Sequence, residues 1–213
     1  MDNSFHHLEF GSNKNNIHLA SPREMLHMHQ LGVAKRLVQS ISLTTKDNNK
    51  FETIARRMGG ELSRNSAKDF PRTRFSNNIS VLSIAMKQAH EYTGMLLCLL
   101  LAFVSEDGKR AASNYLDDNS LVSLIKFIEL VLGMEEFLKH GEIKLSEMEG
   151  LKQMMRYFVK QIRKNVHRTE GMGNRLIKNH LYLHIPQYIE LWGPATGWDS
   201  SPSARRCGRQ RCF

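Results

Sequence analysis

Cysteine is nearly absent from this chain. Its three copies, Cys98, Cys207 and Cys212, are too few and too irregularly spaced for a disulfide framework. Cys98 falls inside an apolar run, where a free thiol packs as a small hydrophobe, so a reducing compartment is expected. Long apolar segments are also missing. The longest candidate, Met95 to Val104, would reach only about 15 Å as a helix, half a hydrocarbon core, and reads as a buried helix. Met1 to Phe10 mixes acids with histidines and has no apolar stretch, so it does not read as a secretory signal. A nuclear or cytoplasmic protein that is not secreted is the expectation.

The elements of familiar catalytic sites are lacking too. There is no Gly-x-Ser-x-Gly elbow, and no cysteine has an identifiable activating partner. Gly171-Met172-Gly173 is too short for a phosphate loop and has no following lysine and hydroxyl. Histidine is plentiful, with ten copies, but few of them suit a metal. His27 and His29 stand two apart on an expected helix and diverge by about 200°. His180 and His184 have the i, i+4 spacing that suits a helix. Cys207 and Cys212 would be needed to complete a tetrahedral zinc set, in an order that no familiar finger uses. No metal is assigned from the sequence, and no cofactor is expected in this chain alone.

What the chain has is helix and positive charge. In 213 residues, 41% hydrophobic and 24% charged residues suit a globular core and a solvated surface. The net charge of +9 favours a polyanionic partner. Four arginines in the last nine residues supply part of it, which weakens the argument from whole-chain charge. Ser21-Pro22-Arg23-Glu24 is a helix start, with a capping hydroxyl, proline at the first helical position and glutamate at the third. The helix should run to about Ile41. Further helices are expected over Lys50–Leu62, Ile79–Val104, Asn119–His140, Ser146–Arg168 and His180–Trp192, the last divided by Pro186. Glu106-Asp107-Gly108 should end the third. Asn65 to Asn78, around Asp69-Phe70-Pro71-Arg72, is the best loop candidate. The fold class is therefore mostly α, with five to six helices. At most a remnant strand at Asn16–Leu19 is expected. Residues 1–20 read as an irregular N-terminal segment, 21–194 as a helical domain and 195–213 as a disordered basic tail.

Basic residues are organised along these helices. Lys35 and Arg36 lie on the first, Arg56 and Arg57 on the second, and Arg72 and Arg74 flank the proline loop. Arg156, Lys160, Arg163, Lys164 and Arg168 recur at spacings of three to five along the fifth, opposite Met155, Phe158, Val159 and Ile162. That set would give a face able to track phosphates; the alternative is an ordinary solvated face. DNA is the expected partner, a membrane is not, and self-association into a homo-oligomer stays open.

Three segments in order carry a family resemblance. The first is Asn16-Ile17-His18-Leu19-Ala20-Ser21-Pro22-Arg23-Glu24-Met25-Leu26-His27. The second is Lys87-Gln88-Ala89-His90-Glu91-Tyr92 followed by Met95-Leu96-Leu97. The third is His180-Leu181-Tyr182-Leu183-His184-Ile185-Pro186, with Ile189 and Gly193-Pro194. Together they resemble DNA transposases of the CACTA and Plavaka type. The resemblance implies an RNase H-like nuclease whose three acids hold two Mg²⁺ ions, with a helical insertion between the second and third. It matches Glu24 and His27 to the family's acid-x-x-His signature, although Glu24 serves equally as a helix-capping glutamate. Most of this chain corresponds to the insertion. The first catalytic acid has no room before residue 20, and the third, expected soon after Gly193-Pro194, is missing. The arginine-rich end has the composition a shifted frame would give. The expected function is thus a transposase-like fragment, inactive alone and retaining DNA binding. Its alternatives are a helical nucleic-acid-binding module and a non-enzymatic partner-binding protein.

Overall fold

The computed structural model describes residues 26–45, 49–65, 89–140, 143–166 and 177–195. These form a mostly α-helical body with no strand among the described residues. The candidate strand at residues 16–19, the loop around Pro71, the first segment and the tail beyond Ala195 lie outside them.

The chain enters as a π-helix over Leu26–Ala34 and continues as α1, Lys35–Thr45. One regular α-helix was expected across this region. A π-helix takes its place, and the segment is buried on nearly every side: Met28, His29 and Gln30 are buried in succession, followed by Val33 and Ala34. The apolar stripe then resumes at Leu37, Val38 and Ile41.

Helix α2, Asn49–Asn65, covers the expected Lys50–Leu62 and runs straight through Gly59-Gly60. Packing of Phe51 on Phe103, ring centroids 4.4 Å apart, holds it against α3 and outweighs the local cost of two glycines.

Helix α3, Ala89–Val104, is the central element, packing on the π-helix, α1, α2, α4 and α5. Tyr92, Met95, Leu96, Cys98, Leu99, Ala102 and Phe103 are buried, while Leu101 and Val104 reach solvent, so burial is not complete on every side. Burial pushes the Cys98 thiol up to about 12, which leaves it an inert core residue. No described helix is long and apolar enough to cross a membrane.

Glu106-Asp107-Gly108 does not end helical structure. It opens α4, Glu106–Ala112, because the Ser105 hydroxyl accepts the Gly108 N–H at 3.1 Å as an N-cap. Helix α5, Asp118–His140, is capped one turn earlier than Asn119 or Ser120 would place it: the Asp117 carboxylate accepts the Ser120 N–H at 2.7 Å. Ser146-Glu147-Met148-Glu149 has the residues of a capping box, but no side-chain cap bond forms at the start of α6. A 3₁₀ turn, Leu145–Glu147, leads into α6, Met148–Asn165, and Glu147 instead accepts the Lys144 N–H at 3.2 Å. Helix α6 stops short of Arg168, where Val166 turns extended.

The last described elements are α7, Ile177–Leu181, a 3₁₀ turn, Tyr182–His184, and α8, Ile185–Trp192. Pro186 starts α8 rather than breaking a longer helix. They pack on α6, and α7 returns to the π-helix.

Two glycines test this packing with opposite signs. A Cβ at Gly108 would fall onto the backbone carbonyl of Ala102, whereas one at Gly133, exposed on α5, meets nothing. Gly133→Ala should raise stability by roughly 0.5–1 kcal/mol through helix propensity. Gly108→Ala should lower it, with urea unfolding as the readout; equal effects would contradict the close α3–α4 turn.

Candidate functional site

Two places concentrate polar chemistry. The first is buried. His29, fully buried in the π-helix, lies 2.8 Å from the Tyr182 hydroxyl through Nδ1 and 3.0 Å from the Val131 carbonyl through Nε2. A carbonyl only accepts, so Nε2 carries the proton and donates to Val131. Nδ1 is then the acceptor, and the Tyr182 O–H donates to it. The ring also lies parallel to Phe158 of α6 at 6.1 Å, and Phe158 meets Tyr182 edge-on at 4.9 Å. One imidazole thus joins the π-helix, α5, α6 and the C-terminal turn. Burial lowers its pKa from 6.5, against the opposing pull of Glu135, so it stays neutral. Burial likewise raises the Tyr182 phenol well above 10, which keeps it a donor.

Glu135 lies one helical turn beyond Val131. Its carboxylate is buried yet accepts from Gln30 at 2.8 Å, Thr93 at 2.7 Å and Lys139 at 2.6 Å. Burial opposes its charge, but His29, the Lys139 ammonium and these donors outweigh it and hold the carboxyl below its ordinary range. With His29 neutral, Lys139 and the Thr93 hydroxyl carry that effect. The His29 Nε2 stands 4.0 Å from Glu135, beyond hydrogen-bond reach. Its members bond mainly to one another, and among them Gln30 Oε1 is buried without a hydrogen-bond partner. These bonds join the π-helix, α3, α5 and the C-terminal turn, which is a structural role.

The second place is the outer face of α6. Arg156, Lys160, Arg163 and Lys164 are exposed, and Met155, Phe158, Val159 and Ile162 are buried behind them. The helix carries five cations against the single acid Glu149. Lys152 pairs with Glu190 of α8 at 3.8 Å, whereas Arg156, Lys160 and Lys164 make no ion pair with a described residue. Along the seam with α5 two shallow hollows meet at Asn119, Ser123 and Lys164. One, of about 350 Å³, extends towards Ser40 and Thr44 of α1. The other, of about 270 Å³, is flanked by Lys126, Tyr157 and Gln161. The Ser123 hydroxyl bonds Asn165 at 3.2 Å across the seam and ties the helices together. Tyr157 is 55% exposed beside Lys164, which gives the cation row an aromatic neighbour.

The other basic residues are placed differently. Arg56 is held by Glu52 at 2.8 Å, Arg57 faces Asp107 at 3.7 Å, and Lys35 and Arg36 are half-buried. The structure does not bring these four onto the α6 face. Arg72, Arg74, Arg168 and Glu24 lie outside the described residues, and so does the side chain of His27. The sequence reading passed over Glu135, whose signal was an acid in phase with the buried Ile128, Val131 and Leu138.

Among the described residues no three His, Cys, Asp or Glu side chains converge on one point. A two-Mg²⁺ centre of the kind the resemblance implies has no donor set there. The chain matches no known protein-family model, no curated protein and no solved structure.

The His29 geometry fixes the acid response. Above pH 6.5 folded and unfolded chains both hold a neutral imidazole. Below that value the unfolded chain gains a proton that the folded chain refuses, so stability falls as pH drops towards the lowered folded pKa. Glu135 acts in the same direction, its contribution being lost below 4.5. The urea midpoint should therefore be level above neutrality and decline through the weakly acid range. Tyr182→Phe leaves His29 Nδ1 buried without a donor and should cost about 1–3 kcal/mol. An unchanged midpoint in that variant would contradict the network.

Proposed function

We propose that this chain is a transposase-like fragment, catalytically inactive by itself, whose helical domain contacts DNA through the exposed face of α6. The observation that carries the reading is the row Arg156, Lys160 and Lys164. All three side chains are exposed, none is ion-paired to a described residue, and they project from one rigid helix whose opposite face is fully packed. Cations spaced four residues apart on one face of a helix fit the repeating negative charge of a phosphate backbone. Lys126, across the seam on α5, extends the same positive surface. Such contacts position a duplex without reading its bases, so the binding is sequence-independent. The three family-like segments supply the transposase part of the proposal. An intact relative of that kind would need acids this chain does not bring together among its described residues.

A protein-binding role has one observation in its favour: Leu191 and Trp192, each about half exposed, lie side by side at the end of α8. The two readings separate on salt dependence. For duplex DNA the logarithm of affinity should fall linearly with the logarithm of salt. Arg156→Ala, Lys160→Ala and Lys164→Ala combined should flatten that slope by roughly 2–3, at about 0.9 per lost phosphate contact. A slope that does not change removes α6 as the contact surface. Absence of binding at ~50 mM salt removes DNA binding altogether.

A further inference from the structure

The C-terminal turn carries a pair of groups that neither the core nor the α6 face uses. His180 ends on α7 and His184 stands at the N-terminal boundary of α8. Their Nε2 atoms are 3.0 Å apart, and both rings are open to solvent. The backbone between them is fixed from inside: Leu181, Tyr182, Ile185 and Pro186 are all buried, and Tyr182 is bonded to His29. The packed turn fixes the spacing of the two backbone positions, and the His180–His184 and His184–Gln187 contacts hold the rings.

The protonation pattern follows from the neighbours. His184 Nδ1 lies 2.9 Å from Gln187 Oε1, and an amide oxygen only accepts, so Nδ1 carries the proton. His184 Nε2 is then a free lone pair, aimed at His180. In the metal-free protein His180 fills it by donating its own Nε2–H. A second lone pair becomes available when His180 moves that proton to Nδ1, a neutral tautomer change that needs no other reactant. An imidazole oriented by a hydrogen bond through its distal nitrogen is the usual arrangement of a metal-ligating histidine.

We propose that His180 and His184 form a two-nitrogen surface site for a divalent transition-metal ion of the Cu²⁺ or Ni²⁺ type. Imidazole nitrogen suits these ions, and Cu²⁺ binds such donors most tightly among the first-row divalent ions. Two metal–nitrogen bonds of about 2.05 Å at roughly 90° place their nitrogens about 2.9 Å apart, and at the tetrahedral angle about 3.3 Å. The hydrogen-bonded separation of 3.0 Å stands within about 0.3 Å of either arrangement, so little movement is needed to close on an ion. Water completes the coordination, so the site accepts a further donor from a partner. Cys207 and Cys212 are not required.

The test uses the full chain and Cu²⁺ as the probe. Paramagnetic broadening in NMR spectra of the unaltered protein should concentrate on His180, His184 and Gln187, which needs no variant to fold. Calorimetry should then show one binding event fewer per chain in His180→Gln and in His184→Gln. Gln187→Ala should weaken that event by roughly tenfold without abolishing it. Added Cu²⁺ should raise the melting temperature of the unaltered chain more than that of either histidine variant, because the ion clamps the turn that carries Tyr182. Broadening confined to other histidines overturns the proposal, as does equal Cu²⁺ stoichiometry in all three proteins.

Discussion

A single buried imidazole ties this molecule together. His29 donates to a carbonyl of α5, accepts from a tyrosine of the C-terminal turn and stacks on a phenylalanine of α6. Its two polar partners are 102 and 153 residues away in sequence. Hydrophobic packing brings the helices together, but it is tolerant of rotation and sliding. A neutral imidazole with one donor and one acceptor is not, because a displaced helix leaves a polar atom buried without a partner. The π-helix belongs to the same constraint: its widened turn accommodates His29 and the adjacent Gln30, which reach Val131 and Glu135 on α5.

The basic surface depends on that closure. Phe158 packs against His29 and Tyr182, which fixes the roll of α6 and turns Arg156, Lys160 and Lys164 outward together. The positive face is thus the reverse side of the core. Other cations serve as pairs within the fold or at its surface, as Lys139 with Glu135 and Arg56 with Glu52 do. Charge totals alone would have counted both kinds equally, and only geometry distinguishes them.

Much of the helical layout was legible in the residues, because 3.6-residue periodicity is a local property. The amphipathic face of α6 reads directly from the spacing of Met155, Phe158, Val159 and Ile162 against its cations. The departures have tertiary causes. Gly59-Gly60 stays helical in an element docked through Phe51 on Phe103, and no local pattern encodes the π-helix at Leu26–Ala34. Asp117 caps α5 two residues before the expected start at Asn119, and Ser105 caps a helix that the sequence did not announce. The pairing of His29 with Tyr182 had no sequence signal, since neither residue carries information about its distant partner. His180 and His184 were recognisable by spacing, but the convergence of their nitrogens required the packed turn.

The most direct test of this account is the protonation state of His29, read by long-range ¹H–¹⁵N NMR on the intact chain. The account predicts a protonated Nε2 and an unprotonated Nδ1, in slow exchange and unchanged while pH falls through about 6.5, the free-histidine value. Averaged nitrogen shifts that titrate near that value would show a solvent-exposed ring. The helices would then lack the buried joint on which the fold and its basic face depend.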